Sequence, residues 1–176
     1  MKKIIFSAIA LIMVVTVALG QSDKKDERII EDAKDAKAAF LEDDPTMSSF
    51  FNSAYGYVIL PNVGKGGLGV GGASGNGVAY EKGTMIGFAR MTQVTIGFQA
   101  GGQKYSEVVF FEDKEAFDRF KENKVEMSAQ VSAVAAASGV SANAKYVDGV
   151  AVFTRTIGGL MYEASVGGQQ FKFREN

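Results

Sequence analysis

The spacing of apolar residues changes from helical to alternating about a third of the way along the chain. Within 28–42, apolar side chains recur three and four positions apart at Ile29, Ala33, Ala36 and Phe40, and charged residues lie between them. This spacing predicts an amphipathic helix with one face turned to a core.

A second, shorter helix is predicted directly after the first. Asp44 is suited to cap its first turn, and Pro45 to occupy its first position, because the N–H groups of a first turn have no partner within the helix. Gly56 is expected to end this helix. Its apolar residues are Met47, Phe50, Phe51 and Ala54.

Residues after Gly56 follow a period of two, which predicts β-strands. The clearest alternation spans 93–101 and predicts a half-buried strand, with Val94, Ile96, Phe98 and Ala100 on its apolar face. The first strand is expected to close at Pro61. The other predicted strands are 57–60, 78–80, 108–111, 125–135, 150–156, 160–166 and 171–173.

One helix interrupts the strands. Asp113 is a suitable cap for a helix over 114–122, in which Phe117 and Phe120 share the inward face. Together these elements predict an α+β fold, in which N-terminal helices precede a glycine-rich, mainly antiparallel β domain of barrel- or sandwich-like form with one inserted helix.

The first residues predict a secretory signal peptide over 1–20. Two lysines precede an apolar run over 4–17, and the small residues Ala18 and Gly20 fit the positions before a cleavage site. An uncleaved N-terminal anchor is the alternative, although the run is short for a membrane span. We therefore expect a periplasmic or secreted protein.

Three segments follow from this division of the chain. The signal peptide over 1–20 precedes a helical segment over 21–53, and a β-rich domain over 54–176 completes the chain.

The composition excludes several kinds of site. The chain has no His, Cys or Trp, so it has no Ser-His-Asp triad, no Cys/His zinc site and no thiol redox chemistry. We expect no metal, no cofactor and no enzymatic activity. Pairs of carboxylates are the remaining catalytic option, and the acidic residues, Asp148 and Glu163 among them, are interpreted as surface charges.

Charge and glycine spacing argue against nucleic acid and nucleotides as ligands. Residues 45–176 carry 12 basic and 11 acidic side chains, so no basic domain is present. Residues 67–72 satisfy G-x-G-x-x-G, but 73–77 cannot begin the helix that a dinucleotide site requires.

The order of the glycine motifs resembles the SYLF domain family. The resemblance covers about 54–168. It begins with an Ala-x-Gly, an apolar run, a proline and a Lys-x-Gly stretch that leads into Gly-x-Gly-Gly. The Gly-x-Gln-x-Gly segment within 96–103, the following helix with Phe117 and Phe120, and Gly-Gly motifs near 158 and 167 continue it.

This resemblance implies binding to anionic lipids, because members of the family engage phosphoinositides and related lipids, and some fungal members also contact actin. Bacterial members that resemble this chain are exported, and the family is not known for catalysis. Members often have a Lys where this chain has Ile157, which removes one cation from a headgroup site.

The candidate lipid-binding residues lie around the glycine tract. Successive backbone N–H groups in such tracts form anion-binding concavities, and Arg offers a forked contact to phosphate. The candidates are Lys65, Gly66, Gly67, Gly69 and Arg155. We therefore expect a module that binds anionic lipid in the cell envelope.

Two alternatives remain open. One is a periplasmic structural or protein-interaction domain, and the other is a small outer-membrane β-barrel. Clustering of Lys65, Lys104, Lys145 and Arg155 on one face would favour lipid, whereas their dispersal beside an exposed apolar patch would favour a protein partner.

Overall fold

The computed structural model of the protein describes residues 2–123, 133–135, 137, 139–158 and 168–176. Most of the strand predicted over 125–135, all of the strand predicted over 160–166, and Gly167 of the last Gly-Gly motif lie outside these residues.

Helices form the first part of the fold, as predicted. Helix α1 spans Lys2–Asp43, a 3-10 turn spans Pro45–Met47, and helix α2 spans Ser48–Ser53. Helix α1 is continuous through Ala18 and Gly20, and the predicted cleavage after Gly20 remains a prediction.

Asp44 fastens the end of α1 to a loop far along the chain. Its carboxylate is fully buried, and it accepts hydrogen bonds from the backbone N–H groups of Thr46, Gly139 and Ser141 at 2.8–3.0 Å. Burial opposes ionisation of Asp44, but these hydrogen bonds outweigh it and hold the pKa of the carboxyl well below its usual range. The predicted cap is confirmed, and it also joins two distant segments.

Within the described residues, five strands make one mainly antiparallel sheet. Strand β1 spans Gly56–Glu81 and β2 spans Thr84–Phe111, and they form a long hairpin. The remaining strands are β3 (Ala133–Ala135), β4 (Val150–Gly158) and β5 (Gln169–Glu175). The strand order is β1-β2-β4-β3, and β5 pairs with the first half of β2.

This arrangement confirms the predicted α+β class with one inserted helix, α3, over Lys114–Lys121. Asp113 caps α3 as predicted, because its side chain accepts a hydrogen bond from the N–H of Ala116 at 2.9 Å. The described strands form an open sheet that folds back on itself, not a closed barrel.

The predicted end of the first strand at Pro61 is wrong. Strand β1 continues through Pro61 and the glycine tract, so the strands predicted at 57–60 and 78–80 are two ends of one strand. The register with β2 shifts between Leu60 and Val63, and a proline is tolerated at such a bulge because the ladder is already interrupted there.

The sheet has an apolar cluster on each face. Tyr57 and Ile59 pack with α1 and α2 on one face, while Val58 and Leu60 pack with α3 and β5 on the other. We call the first the helix face and the second the interior face. Successive side chains at the start of β1 therefore enter the two apolar clusters in turn. Because both faces are covered there, the sequence shows a continuous apolar run.

The hairpin returns over its own first half, and glycines permit the contact. A Cβ atom at Gly77 would lie 2.1 Å from the carbonyl oxygen of Ile59, and one at Gly75 would lie 2.9 Å from the side chain of Val63. Only glycine fits at Gly77, because the atom that a side chain would meet there belongs to the backbone.

The orientation predicted for Val94 is wrong, while the side chains of Ile96, Phe98 and Ala100 lie outside the described part of the structure. At 93–94, Gln93 is only 3% exposed whereas Val94 is 73% exposed. Gln93 lies opposite Gln169 of β5, so the interior face is polar at this end of the sheet. The apolar residue of the pair therefore faces outward.

We predict that Gly77→Ala lowers the free energy of unfolding by about 3 kcal/mol, because the added methyl group must displace the backbone of Ile59. Gly64→Ala is the matched control in the same strand, since a Cβ there meets nothing within 4 Å. Urea unfolding of both variants measures the difference. Equal stability of the two would contradict the close return of the hairpin.

Candidate functional site

The structure separates the two cations of the predicted site. Lys65 follows Val63 on the interior face of β1 and is only 7% exposed. Arg155 follows Phe153 on the helix face of β4. Because the two side chains lie on opposite faces of the sheet, they do not form one headgroup site, and their individual roles in lipid binding remain predictions.

Arg155 already has a partner. Its Nε donates to Oδ2 of Asp43 at 2.6 Å, and both side chains are about one third exposed. This ion pair joins the last residue of α1 to β4. The ion pair therefore helps to hold α1 against the sheet.

The glycines of the predicted site lie within the hairpin. Gly66 pairs with Gly102, Gly67 with Gly101, and Gly69 with Gly97. The G-x-G-x-x-G tract thus continues as strand and does not open a helix.

Lys104 and Lys145 are exposed, but they do not complete a cluster with the other two predicted cations. Lys104 neighbours Tyr105 in β2 and therefore faces away from Lys65. Lys145 lies in the loop before β4. Lys104 shares the helix face with Arg155, whereas Lys65 lies on the other face, so the predicted cations do not form one cluster.

Cations gather instead in a cleft between α1 and the pair β2–β5. The cleft has a volume of about 250 Å³. Four cations and one carboxylate line it: Lys25, Arg90, Lys172, Arg174 and Asp26. We call it the cationic cleft, and its excess of positive charge contrasts with the nearly neutral body of the chain.

Two of these cations lie directly opposite each other. Arg90 of β2 and Lys172 of β5 are register partners in an antiparallel pair, and both are exposed. Among the described residues, neither makes an ion pair with a carboxylate. Like charges at such positions destabilise a sheet unless an anion lies between them. The pair therefore favours an anion-binding role over a structural one.

Arg174 is held in place at the edge of the cleft. Its Nη2 donates to Oδ2 of Asp26 at 2.6 Å, and its guanidinium lies 4.5 Å from the centre of the Phe88 ring. Charge pairing and the cation–π contact together fix the side chain, so the cation next to Lys172 is preorganised.

The cleft also has apolar walls, which include Ile29 of α1 and Phe88 of β2. Cations beside apolar side chains suit a ligand with an anionic head and an apolar body. The arrangement can bind and orient such a ligand. Among the described residues, no group of Asp and Glu side chains is placed to hold a metal ion.

The sequence carried a partial signal for this cleft. Lys172 and Arg174 alternate with Phe171 and Phe173, which predicts a strand with one cationic face. The pairing of Lys172 with Arg90 could not be predicted, because it depends on the register between two strands and the two residues are 82 positions apart in sequence.

Within the described part of the chain, no helix is long and apolar enough to cross a membrane.

Two comparisons with known proteins bear on the function. Residues 92–176 match the family described as Ysc84, Las17-binding protein actin regulator. The chain is 29% identical over 140 residues to beta cell expansion factor A of Aeromonas veronii, an alignment that covers 79% of this chain and 53% of that protein. The chain thus spans about half the length of this curated relative. The family match includes Lys172 and Arg174 but not Arg90.

We predict that Lys172→Gln stabilises the protein by about 0.5 kcal/mol at low salt, because it removes the repulsion from Arg90 across the strand pair. The gain should shrink in 1 M salt, where charges are screened. Urea unfolding at both salt concentrations measures it.

Lys104→Gln is the control, since Lys104 lies opposite Gly64 and Gly158 and has no cation across the sheet. A loss of stability in Lys172→Gln at low salt would contradict the repulsion that we infer.

Proposed function

We propose that the chain, which matches the Ysc84 family over residues 92–176, is a non-enzymatic module that binds anionic lipid surfaces through the cationic cleft. The family is described by binding and regulation, which agrees with a binding role. The observation that carries the proposal is the opposition of Arg90 and Lys172 in a cleft with apolar walls.

An anionic headgroup suits the cleft better than a fully polar anion. Its charge would lie between Arg90 and Lys172, with the fixed guanidinium of Arg174 beside them. The apolar part of the lipid would then contact Ile29 and Phe88. A planar guanidinium and an ammonium together accommodate phosphate or carboxylate heads.

The proposed place of action is the cell envelope. The basic and apolar pattern of 1–20, with Ala18 and Gly20 before the cleavage point, supports export to the periplasm or beyond. In that compartment the anionic partner would be a phospholipid surface.

The expected affinity is modest and depends on salt. Each cation near an anionic surface contributes about 1 kcal/mol, and this contribution falls off within a Debye length. Loss of two cleft cations should therefore weaken binding about thirtyfold, since 1.4 kcal/mol corresponds to tenfold.

We predict that Arg90→Gln/Lys172→Gln binds phosphatidylglycerol-containing vesicles about thirtyfold more weakly than the wild type in 50 mM salt, because the double variant loses two cations that face the bound headgroup. Co-sedimentation of the purified protein, with the anionic lipid fraction varied, measures the partition coefficient. Binding of the wild type should fall as salt is raised.

Lys104→Gln/Lys145→Gln is the matched control, because it removes two exposed cations outside the cleft. It should bind within about threefold of the wild type if position matters and not net charge alone. Lys65→Ala and Arg155→Ala test the sequence-predicted residues in the same assay. Equal losses in the two double variants would reject the cleft as the site.

A protein partner is the second candidate. The description of the family as Las17-binding and the 73% exposure of Val94, an apolar residue on β2, favour it. Absence of binding to every vesicle composition at low salt would leave this candidate in place of the lipid surface.

A further inference from the structure

Two polar side chains meet inside the apolar interior. Glu107 of β2 and Gln169 of β5 are both completely buried. Nε2 of Gln169 donates a hydrogen bond to Oε2 of Glu107 at 3.0 Å. The contact joins residues 62 positions apart. It therefore links β5 to the half of β2 with which β5 does not pair.

Each member of this pair has one oxygen without a partner. Among the described residues, Oε1 of Glu107 and Oε1 of Gln169 are both buried and accept no hydrogen bond. A carboxylate that is ionised and buried with only one neutral donor is costly. A proton on Glu107 would remove the charge and would also supply the donor that Gln169 lacks.

We propose that Glu107 is protonated on Oε1 and that this O–H donates a hydrogen bond to Oε1 of Gln169. The acid and the amide then form a pair joined by two hydrogen bonds, which holds β5 in place and opens as the pH rises. The amide N–H of Gln169 donates a hydrogen bond to Oε2 of Glu107, and the amide oxygen accepts one from the acid O–H. No other donor is needed, and both buried oxygens then have partners.

The surroundings of Glu107 favour the neutral form. Leu60 and Thr154 are its register partners on β1 and β4, and neither is charged. Among the described residues of β1 and β2, the titratable groups on the same face include Tyr105, two residues away, and Lys65, farther along β1. Tyr55, Glu81 and Lys121 lie at the edge of this face. Burial raises the pKa of Glu107 to about 7, and the hydrogen bond from Gln169 only partly opposes this rise.

The direction of the pH effect follows from this raised pKa. The folded state keeps its proton up to about pH 7, while the unfolded state loses it near 4.5. The contribution of Glu107 to stability is therefore fully present below pH 4.5 and is lost as the pH rises to about 7. We therefore expect β5 to be held more firmly on β2 at acidic pH and less firmly at mildly alkaline pH.

The pair would also control the cationic cleft, a consequence that rests on the proposed function. Lys172 and Arg174 lie on β5, three and five residues beyond Gln169. If β5 opens, the opposition of Lys172 to Arg90 is lost with it. Lipid binding should therefore be stronger at pH 6 than at pH 8.

Amide hydrogen exchange of β5 tests the pair without lipid. In the wild-type protein, exchange at Lys172 and Arg174, whose N–H groups face β2, should rise on the order of tenfold between pH 5.5 and 8 after division by the intrinsic rate at each pH. Glu107→Gln keeps both hydrogen bonds without a titrating group, so its corrected exchange should stay flat.

Glu115→Gln is the matched control, because Glu115 is exposed on α3, and this variant should follow the wild type. Corrected exchange that is equally flat in the wild type would overturn the proposal. So would a carbon-13 titration of the Glu107 carboxyl with a midpoint near 4.5, the ordinary value. Because the titration needs no mutation, it decides the matter even if Glu107→Gln folds poorly.

Vesicle binding at pH 6 and 8 then separates the two claims. Binding that falls at pH 8 in the wild type but not in Glu107→Gln supports control of the cleft. If β5 exchange responds to pH while no vesicle is bound at either pH, the acid–amide pair stands and the proposed lipid function fails. If vesicles bind but exchange and titration show no response near pH 7, the pair is rejected and the lipid function stands.

Discussion

The return of the β1–β2 hairpin over its own first half is the constraint on which the rest of the structure depends. It requires backbone-to-backbone proximity at Gly77 and Ile59, which only a glycine permits. Because the hairpin returns, β5 can pair with the early part of β2 and still reach Glu107 in its later part. The buried acid–amide pair and the position of β5 beside α1 both follow from this one bend.

Helix α1 is attached to the sheet near both ends of its described face. Asp43 pairs with Arg155 of β4, and Asp26 pairs with Arg174 of β5, each at 2.6 Å. Between them the apolar stripe around Ala33 packs on the helix face of the sheet. The second ion pair also lies on one side of the cationic cleft. The cleft therefore exists only when α1 is packed against the sheet.

Local physics made most of the elements predictable from sequence. The caps at Asp44 and Asp113 and the short strand with Phe171 and Phe173 are confirmed, because each depends on neighbours a few residues away. The expected break at Pro61 is wrong, since a bulge accommodates the proline. The predicted orientation at 93–94 is wrong because the interior face is polar there. That polarity depends on Gln169 of β5, which lies opposite Gln93.

The site was less predictable for the same reason. Lys65 and Arg155 looked like neighbours of one glycine-rich surface, but strand alternation turns them to opposite faces. The cationic cleft needs three segments, α1, β2 and β5, that meet only in the folded chain. A single sequence shows that Lys172 and Arg174 share a face, but not what lies across from them.

An amide chemical-shift titration with a short-chain anionic phospholipid tests the central claim most directly. The protein is titrated below the micelle concentration of the lipid, with a zwitterionic lipid of the same chain length as the reference. The account predicts saturable shifts at Lys25, Arg90, Lys172 and Arg174 that only the anionic lipid produces. Shifts confined to Gly66, Gly67 and Arg155, or no difference between the two lipids, would contradict it.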